Sequence, residues 1–165
     1  MTRVLVAYAT KMGSTKDIAE AIGKELQRHG LRVDVQNVAE VPTLDDYDAV
    51  VLGSAVYAAR WRPEATRWVN QHAEELGRHP VWLFESGWIG KRPDPVVATP
   101  GGRRRAQHIG AEAPTVFGGR LDPDLATGFF DRMLAKRMPG DFRDFDEIRS
   151  WAGQVADMLA AKAQG

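Results

Sequence analysis

The stretch RVLVAYATKMGSTKDIAEAI, residues 3–22, decides how the chain is read. Its opening, Arg3–Ala9, is an apolar run too short for a helix, the mark of a strand covered on both faces. From Ser14 onward Ile18, Ile22 and Leu26 recur at i, i+4 and i+8, which places them on one face of a helix reaching His29. Between strand and helix lies Tyr8–Thr15, YATKMGST, a turn of hydroxyls with one Lys, one Met and one Gly. A strand followed by a hydroxyl-rich turn and a helix is the first unit of an α/β fold.

The same alternation continues outward. Gly30 stands where a helix C-cap glycine belongs, and Leu31–Val38 alternates apolar and polar as an edge strand does. Asp45-Asp46-Tyr47-Asp48 reads as a turn and Ala49–Ala55 as a buried strand. Pro63 suits the first turn of a helix to about Leu76, with Ala65, Trp68, Val69 and His72 on one side. Pro80–Glu85 and Thr115–Leu121 read as the fourth and fifth strands. A helix is expected near Leu125–Met138, and a last one over about Asp146–Lys162. Strands alternating with helices imply a parallel sheet with helices on both faces. With 165 residues the chain suits one domain, 1–165. The segment from about 87 to 110, rich in Gly, Pro and Arg, reads as an inserted basic loop with a short helix around Arg103–His108.

Composition removes several function classes. The chain has no Cys, so disulfides, thiolate nucleophiles and cysteine-held metals are excluded, which fits a reducing cytoplasm. The 22 basic and 22 acidic residues cancel, whereas a generic nucleic-acid binder is more basic. No apolar stretch approaches the ~20 residues a membrane span needs, and the start has no signal-like core. The four His are scattered without metal-ligand spacing, so no metal site is expected. Nor does any order of Ser, His and Asp point to a hydrolase.

In open α/β sheets ligands bind beyond the carboxyl ends of the strands, next to the first strand. There the helix opening at Ser14 offers unpaired N–H groups and a partial positive charge. Thr10, Ser14 and Thr15 add hydroxyl donors, and Gly13 permits close approach or positive φ. Two readings of this turn stand side by side: a phosphate cradle, and a plain helix cap built on Ser14 and Asp17. The turn is neither G-x-x-x-x-G-K-[ST] nor G-x-G-x-x-G, which sets aside the P-loop and dinucleotide-binding motifs.

The pattern T-x-M-G-S-T after a first strand resembles the phosphate loop of the flavodoxin family, T/S-x-T-G-x-T. Thr10, Gly13 and Thr15 match it; Met12 stands where many members have Thr. Ser54-Ala55-Val56-Tyr57 and Ser86-Gly87-Trp88-Ile89 fall where that family's second and third flavin loops belong. Three stretches are similar to the flavodoxin-type protoporphyrinogen oxidases in particular: the first loop and helix, Tyr47–Val69, and Val116–Trp151. The last of these carries FFDRMLAKRM and DEIRSW.

The resemblance implies a flavodoxin-like three-layer sandwich, with a five-stranded parallel sheet in the order 2-1-3-4-5. It implies non-covalent FMN, its phosphate on Thr10, Lys11, Met12, Gly13, Ser14 and Thr15. The ring would lie between Ser54–Tyr57 and Ser86–Ile89, with Tyr57 and Trp88 as stacking candidates. Lys11 is expected to point to solvent. The chemistry would centre on the flavin, with no catalytic acid–base pair among the side chains. Carrier flavodoxins place a Gly in the second loop whose peptide flips on reduction. Ala55-Val56-Tyr57-Ala58-Ala59 has none, which predicts a bias to two-electron chemistry. Lys91, Arg92, Arg103, Arg104 and Arg105 form a basic cluster with two readings, a solvated charged loop and a surface suited to an acidic substrate such as a porphyrin. A quinone, a protein redox partner and peripheral contact with a membrane fit the same reading. Two rivals stay open: an electron-transfer protein serving larger enzymes, and an interaction module that kept the fold without the flavin.

Overall fold

The chain's structure, a computed structural model, describes residues 2–11, 13–121 and 140–164. In chain order they form β1 (Arg3–Ala9), α1 (Ser14–Arg28), β2 (Arg32–Asn37), β3 (Ala49–Tyr57), β4 (Arg60–Trp61) and α2 (Pro63–Leu76). Then come β5 (Val81–Trp88), α3 (Pro100–Ile109), β6 (Thr115–Gly118), β7 (Arg120–Leu121), β8 (Gly140–Asp141) and α4 (Phe145–Gln164). The helix expected near Leu125–Met138 lies outside the described residues, as does Met12.

The five long strands pair in the order β2-β1-β3-β5-β6, all parallel, which is the flavodoxin-like order. β1 shows why it is central. Val4, Val6 and Tyr8 pack with α1 and α4 on one face, and Leu5, Ala7 and Ala9 with α2 and α3 on the other. That period of two, apolar on both sides, is what an unbroken apolar run becomes in a pleated strand. The first face is closed by Phe84, Phe117 and Trp151, whose rings meet edge-on or tilted at 5.6–6.1 Å. Phe84 fits only because its β3 neighbour is Gly53: a Cβ there would stand 1.9 Å from the ring.

Four elements depart from the expected boundaries. β3 runs on to Tyr57 and turns back as a hairpin, with Val56 opposite Trp61 and Tyr57 opposite Arg60. β5 runs on through Ser86-Gly87-Trp88, so the irregular part of the basic stretch is 89–99. α3 follows from Pro100, its N-terminus capped by Thr99 Oγ1, which accepts from Gly102 N–H at 3.0 Å. The expected fifth strand splits at Gly119, whose N–H bonds the Trp88 carbonyl at 2.8 Å. Beyond it β7 leaves the sheet and pairs antiparallel with β8. The split follows from crowding: a Cβ on Gly118 would stand 2.0 Å from the Phe142 carbonyl, in the segment that leads into α4.

Candidate functional site

Because the five strands are parallel, the turns after β1, β3 and β5 gather along one edge of the sheet, the carboxyl edge. The turn after β1 is locally determined. Gly13 sits at φ +79°, open to substitution in space but not in backbone conformation. Its N–H donates to Thr10 Oγ1 at 3.0 Å, which leaves the Thr10 hydroxyl proton to point elsewhere. α1 then starts with its first intrahelical bond from Asp17 N–H to the Gly13 carbonyl at 3.3 Å. The N–H groups of Ser14, Thr15 and Lys16 precede that bond, so the helix itself offers them no partner. Thr15 is fully buried, and its Oγ1 has no hydrogen-bond partner. A buried hydroxyl left unpaired costs about 1–3 kcal/mol, so its position invites an acceptor from a ligand. Asp17 and Ser14 make no side-chain cap on this helix, and the plain-cap reading fails.

The three expected loops do meet. Ser14 Oγ and Ser86 Oγ share a hydrogen bond at 3.3 Å, joining the first to the third. Lys11 Nζ lies 4.0 Å from the centre of the Tyr57 ring, joining the first to the second. Lys11 was expected to reach solvent; the ring's negative face holds it instead. Ser54 is buried behind the hairpin, where its hydroxyl donates to the Ala55 carbonyl (2.9 Å) and accepts from Arg62 N–H (3.0 Å). Its side chain therefore braces the second loop instead of facing outward. Ala58 and Ala59 turn the hairpin at φ 51° and 61°, left-handed values that Ala adopts only under constraint. Trp88 ends β5 half-buried, with the Arg92 guanidinium 5.1 Å from its ring centre.

The basic residues expected to act together are dispersed. Arg92 pairs with Glu147 at 3.0 Å. Arg105 lies 5.5 Å from the centre of the Trp61 ring, and burial pushes its guanidinium pKa down. Lys91, Arg103 and Arg104 are exposed. Trp61 is buried and donates Nε1–H to Glu85 at 2.7 Å.

Sequence reasoning missed two charged residues here. Glu85, 1% exposed, accepts from Trp61 Nε1–H (2.7 Å) and the Thr99 hydroxyl (2.6 Å) at Oε2 and from the Thr99 N–H (2.9 Å) at Oε1. It ties the hairpin to the start of α3; a lone acid ending an apolar strand was the available signal. Arg143 reaches the first turn of α1 from the segment before α4. Its Nη1 meets Asp17 Oδ2 at 3.0 Å and the Ser14 carbonyl at 3.4 Å. Asp141 holds the same guanidinium through Nε at 2.8 Å and Nη2 at 2.6 Å. These bonds raise the Arg143 pKa and lower that of Asp141. In a run as polar as DFRDFDE, nothing local marks Arg143 as more than a surface charge.

Elsewhere, a cleft of about 410 Å³ lies between the segment after β2 and α2, lined by Val41, Pro42, Arg67, Trp68 and His72 among others. It shares no residue with the three loops. Among the described residues no cluster of His, Asp and Glu could hold a metal ion, and no helix is long and apolar enough to cross a membrane.

A parallel α/β sheet whose loops after the first, third and fifth strands gather at its carboxyl edge defines the class of open α/β folds. Residues 5–138 match the flavodoxin domain family, and the chain belongs to it. A protoporphyrinogen IX dehydrogenase [quinone] of Escherichia coli K12 is 28% identical over 94 residues, 56% of this chain and 52% of that protein. The chain thus spans about half the length of the first curated relatives it matches. A flavodoxin of Nitratidesulfovibrio vulgaris is 24% identical over 169 residues, 96% of this chain and 100% of its own length. Among solved structures, the rubredoxin oxygen:oxidoreductase of Desulfovibrio gigas superposes with a TM-score of 0.67 at 13% identity, over 100% of this chain and 38% of that one. These similar proteins include oxidoreductases and a flavodoxin.

Proposed function

We propose that this protein is an FMN-dependent oxidoreductase whose flavin occupies the carboxyl edge of the sheet. The observation that carries the reading is the orphaned Thr15 Oγ1, buried at a helix N-terminus behind a left-handed Gly13. A phosphate oxygen supplies the acceptor that this hydroxyl lacks, together with a charge suited to the helix end. Thr10, Lys11, Met12, Gly13, Ser14 and Thr15 would hold the phosphate. Ser54–Tyr57 and Ser86–Ile89 would hold the ring, with Tyr57 and Trp88 as its aromatic neighbours. Bound FMN supplies hydride and electron transfer; the protein supplies orientation and the exclusion of water.

The hairpin favours two-electron chemistry over a carrier role. Val56 and Tyr57 are laddered to Trp61 and Arg60, and Ala58 and Ala59 already occupy left-handed positions. A backbone held at both ends has no soft peptide to reorient on reduction. Similarity to the protoporphyrinogen dehydrogenases supports a porphyrinogen donor and a quinone acceptor. The exposed Lys91, Arg103 and Arg104 offer charges for a substrate's carboxylates. Titrating the purified protein with FMN tests the first level: saturable quenching of flavin fluorescence and a raised Tm are expected. Failure to bind FMN overturns the reading and favours the flavin-free module. Oxidation of a porphyrinogen by the FMN-loaded protein with a quinone tests the second level. Turnover only with a protein reductase would favour the electron-transfer reading instead.

A further inference from the structure

An acid in the first turn of a helix competes with an anionic ligand for the same partial positive charge. Asp17 holds that place on α1, one turn from the hydroxyls and N–H groups expected to take a phosphate. Unpaired, it would repel a dianion. Arg143 answers this from outside the helix. Its side chain is only 5% exposed, it takes Asp17 Oδ2 at 3.0 Å, and Asp141 fixes it from behind. Its contact to the Ser14 carbonyl polarises the peptide whose other end is the Thr15 N–H, which makes that N–H a better donor.

We propose that Arg143 is a positioning residue for the phosphate site: it neutralises Asp17 and aims the Ser14–Thr15 peptide, so that the helix end accepts a dianion without repulsion from its own acid. The inference rests on the FMN reading above. Arg143 stands between two carboxylates, Asp17 and Asp141, so its loss would leave the Asp17 charge in the first turn of α1 without this ion-pair partner.

A structural clamp would hold every ligand of the site alike, whereas a charge role separates FMN from riboflavin, which lacks the phosphate. Affinities for both flavins are measured on the wild type, Arg143→Gln, Arg143→Lys, Asp17→Asn and the double variant Asp17→Asn/Arg143→Gln. Arg143→Gln is expected to weaken FMN by roughly tenfold while leaving riboflavin nearly unchanged, the order expected for a screened charge pair. Arg143→Lys keeps most of the FMN affinity. The double variant recovers most of what Arg143→Gln loses, and added salt narrows the gap between Arg143→Gln and the wild type. Equal loss of both flavins, or a double variant no better than Arg143→Gln, overturns the proposal. If Arg143→Gln does not fold, Asp17→Asn decides: FMN affinity that tightens without a change for riboflavin supports the proposal, and unchanged or weaker FMN affinity overturns it. FMN binding by the wild type that Arg143→Gln does not alter overturns this inference and leaves the cofactor reading intact. A wild type that binds no FMN overturns the cofactor reading and this inference with it.

Discussion

The two ends of the sheet are built to opposite rules. At the amino end, Arg3 on β1 meets Asp34 on β2 at 2.8 Å, and Tyr47 donates its hydroxyl to the same Asp34 oxygen at 2.8 Å. Arg3 N–H is taken by Asp48, and the Arg3 guanidinium lies 5.1 Å from the centre of the Tyr47 ring. These groups partner one another. At the carboxyl end an equally central Arg, Arg143, is also held by two carboxylates, yet Thr15 Oγ1 is left over and two alanines are left-handed. A polar end that closes on itself holds the strands in register. One that leaves donors spare keeps them for something else.

The contrast can be broken most forcefully at Glu85, which ties the back of the carboxyl end. Glu85→Ala leaves the buried Trp61 Nε1 and the half-buried Thr99 N–H and hydroxyl without their acceptor, and is expected to destabilise by about 3 kcal/mol in chemical denaturation. Asp34→Asn at the amino end, with its side chain about a third exposed, should cost well under 1 kcal/mol after solvent screening. If the two variants cost the same, the distinction between the ends is not one of burial.

Next in size is Thr15→Val, which removes the spare hydroxyl and keeps the shape. FMN affinity is expected to fall by about tenfold, since a hydrogen bond to a charged group is worth about 1.5–3 kcal/mol. The stability of the protein without flavin is expected to hold or rise. A stability loss above about 1 kcal/mol would mean that the hydroxyl has a structural partner after all.

Replacing Ala58-Ala59 by Asn-Gly, the pair this two-residue turn favours, is expected to raise stability by about 1 kcal/mol, because left-handed Ala costs about 1–2 kcal/mol per residue. No gain in thermal or chemical unfolding would show that the hairpin carries no strain.

The smallest effect is one of pH at the amino end. Burial, followed by the bond to Asp34, pushes the Tyr47 phenol up to about 12. A pKa raised on folding gives stability that is full below the unfolded value of about 10 and fades as pH rises toward about 12. Tyr47→Phe should therefore flatten the alkaline arm of the stability profile. The Asp34 carboxylate is depressed, first by the Tyr47 bond and also by Arg3, so its contribution fades in the opposite direction, as pH falls below the usual carboxylate range.

Much of the carboxyl edge was legible because its signals are local. Gly13 at positive φ, the hydroxyls around it and the helix behind them all lie within Thr10–Asp17. The strand order followed from alternation and the resemblance. Strand ends were less legible: β3 and β5 both run past the ends expected for them, because pairing with β4 and β6 extends the ladder into residues read as loop. The basic stretch read as one charged surface, but Arg92 and Arg105 turn to aromatic rings and to Glu147.

By itself the sequence determined the family, the parallel sheet and the hydroxyl-rich turn where we propose a phosphate, since each depends on residues close together in the chain. Tertiary structure alone decided that Arg143 faces Asp17 across a sequence separation of 126 and that Glu85 joins Trp61 to Thr99. It also left Thr15 without a partner. Burial and long-range pairing set the worth of a charge or a hydroxyl, and neither is written in the neighbours of a residue along the chain.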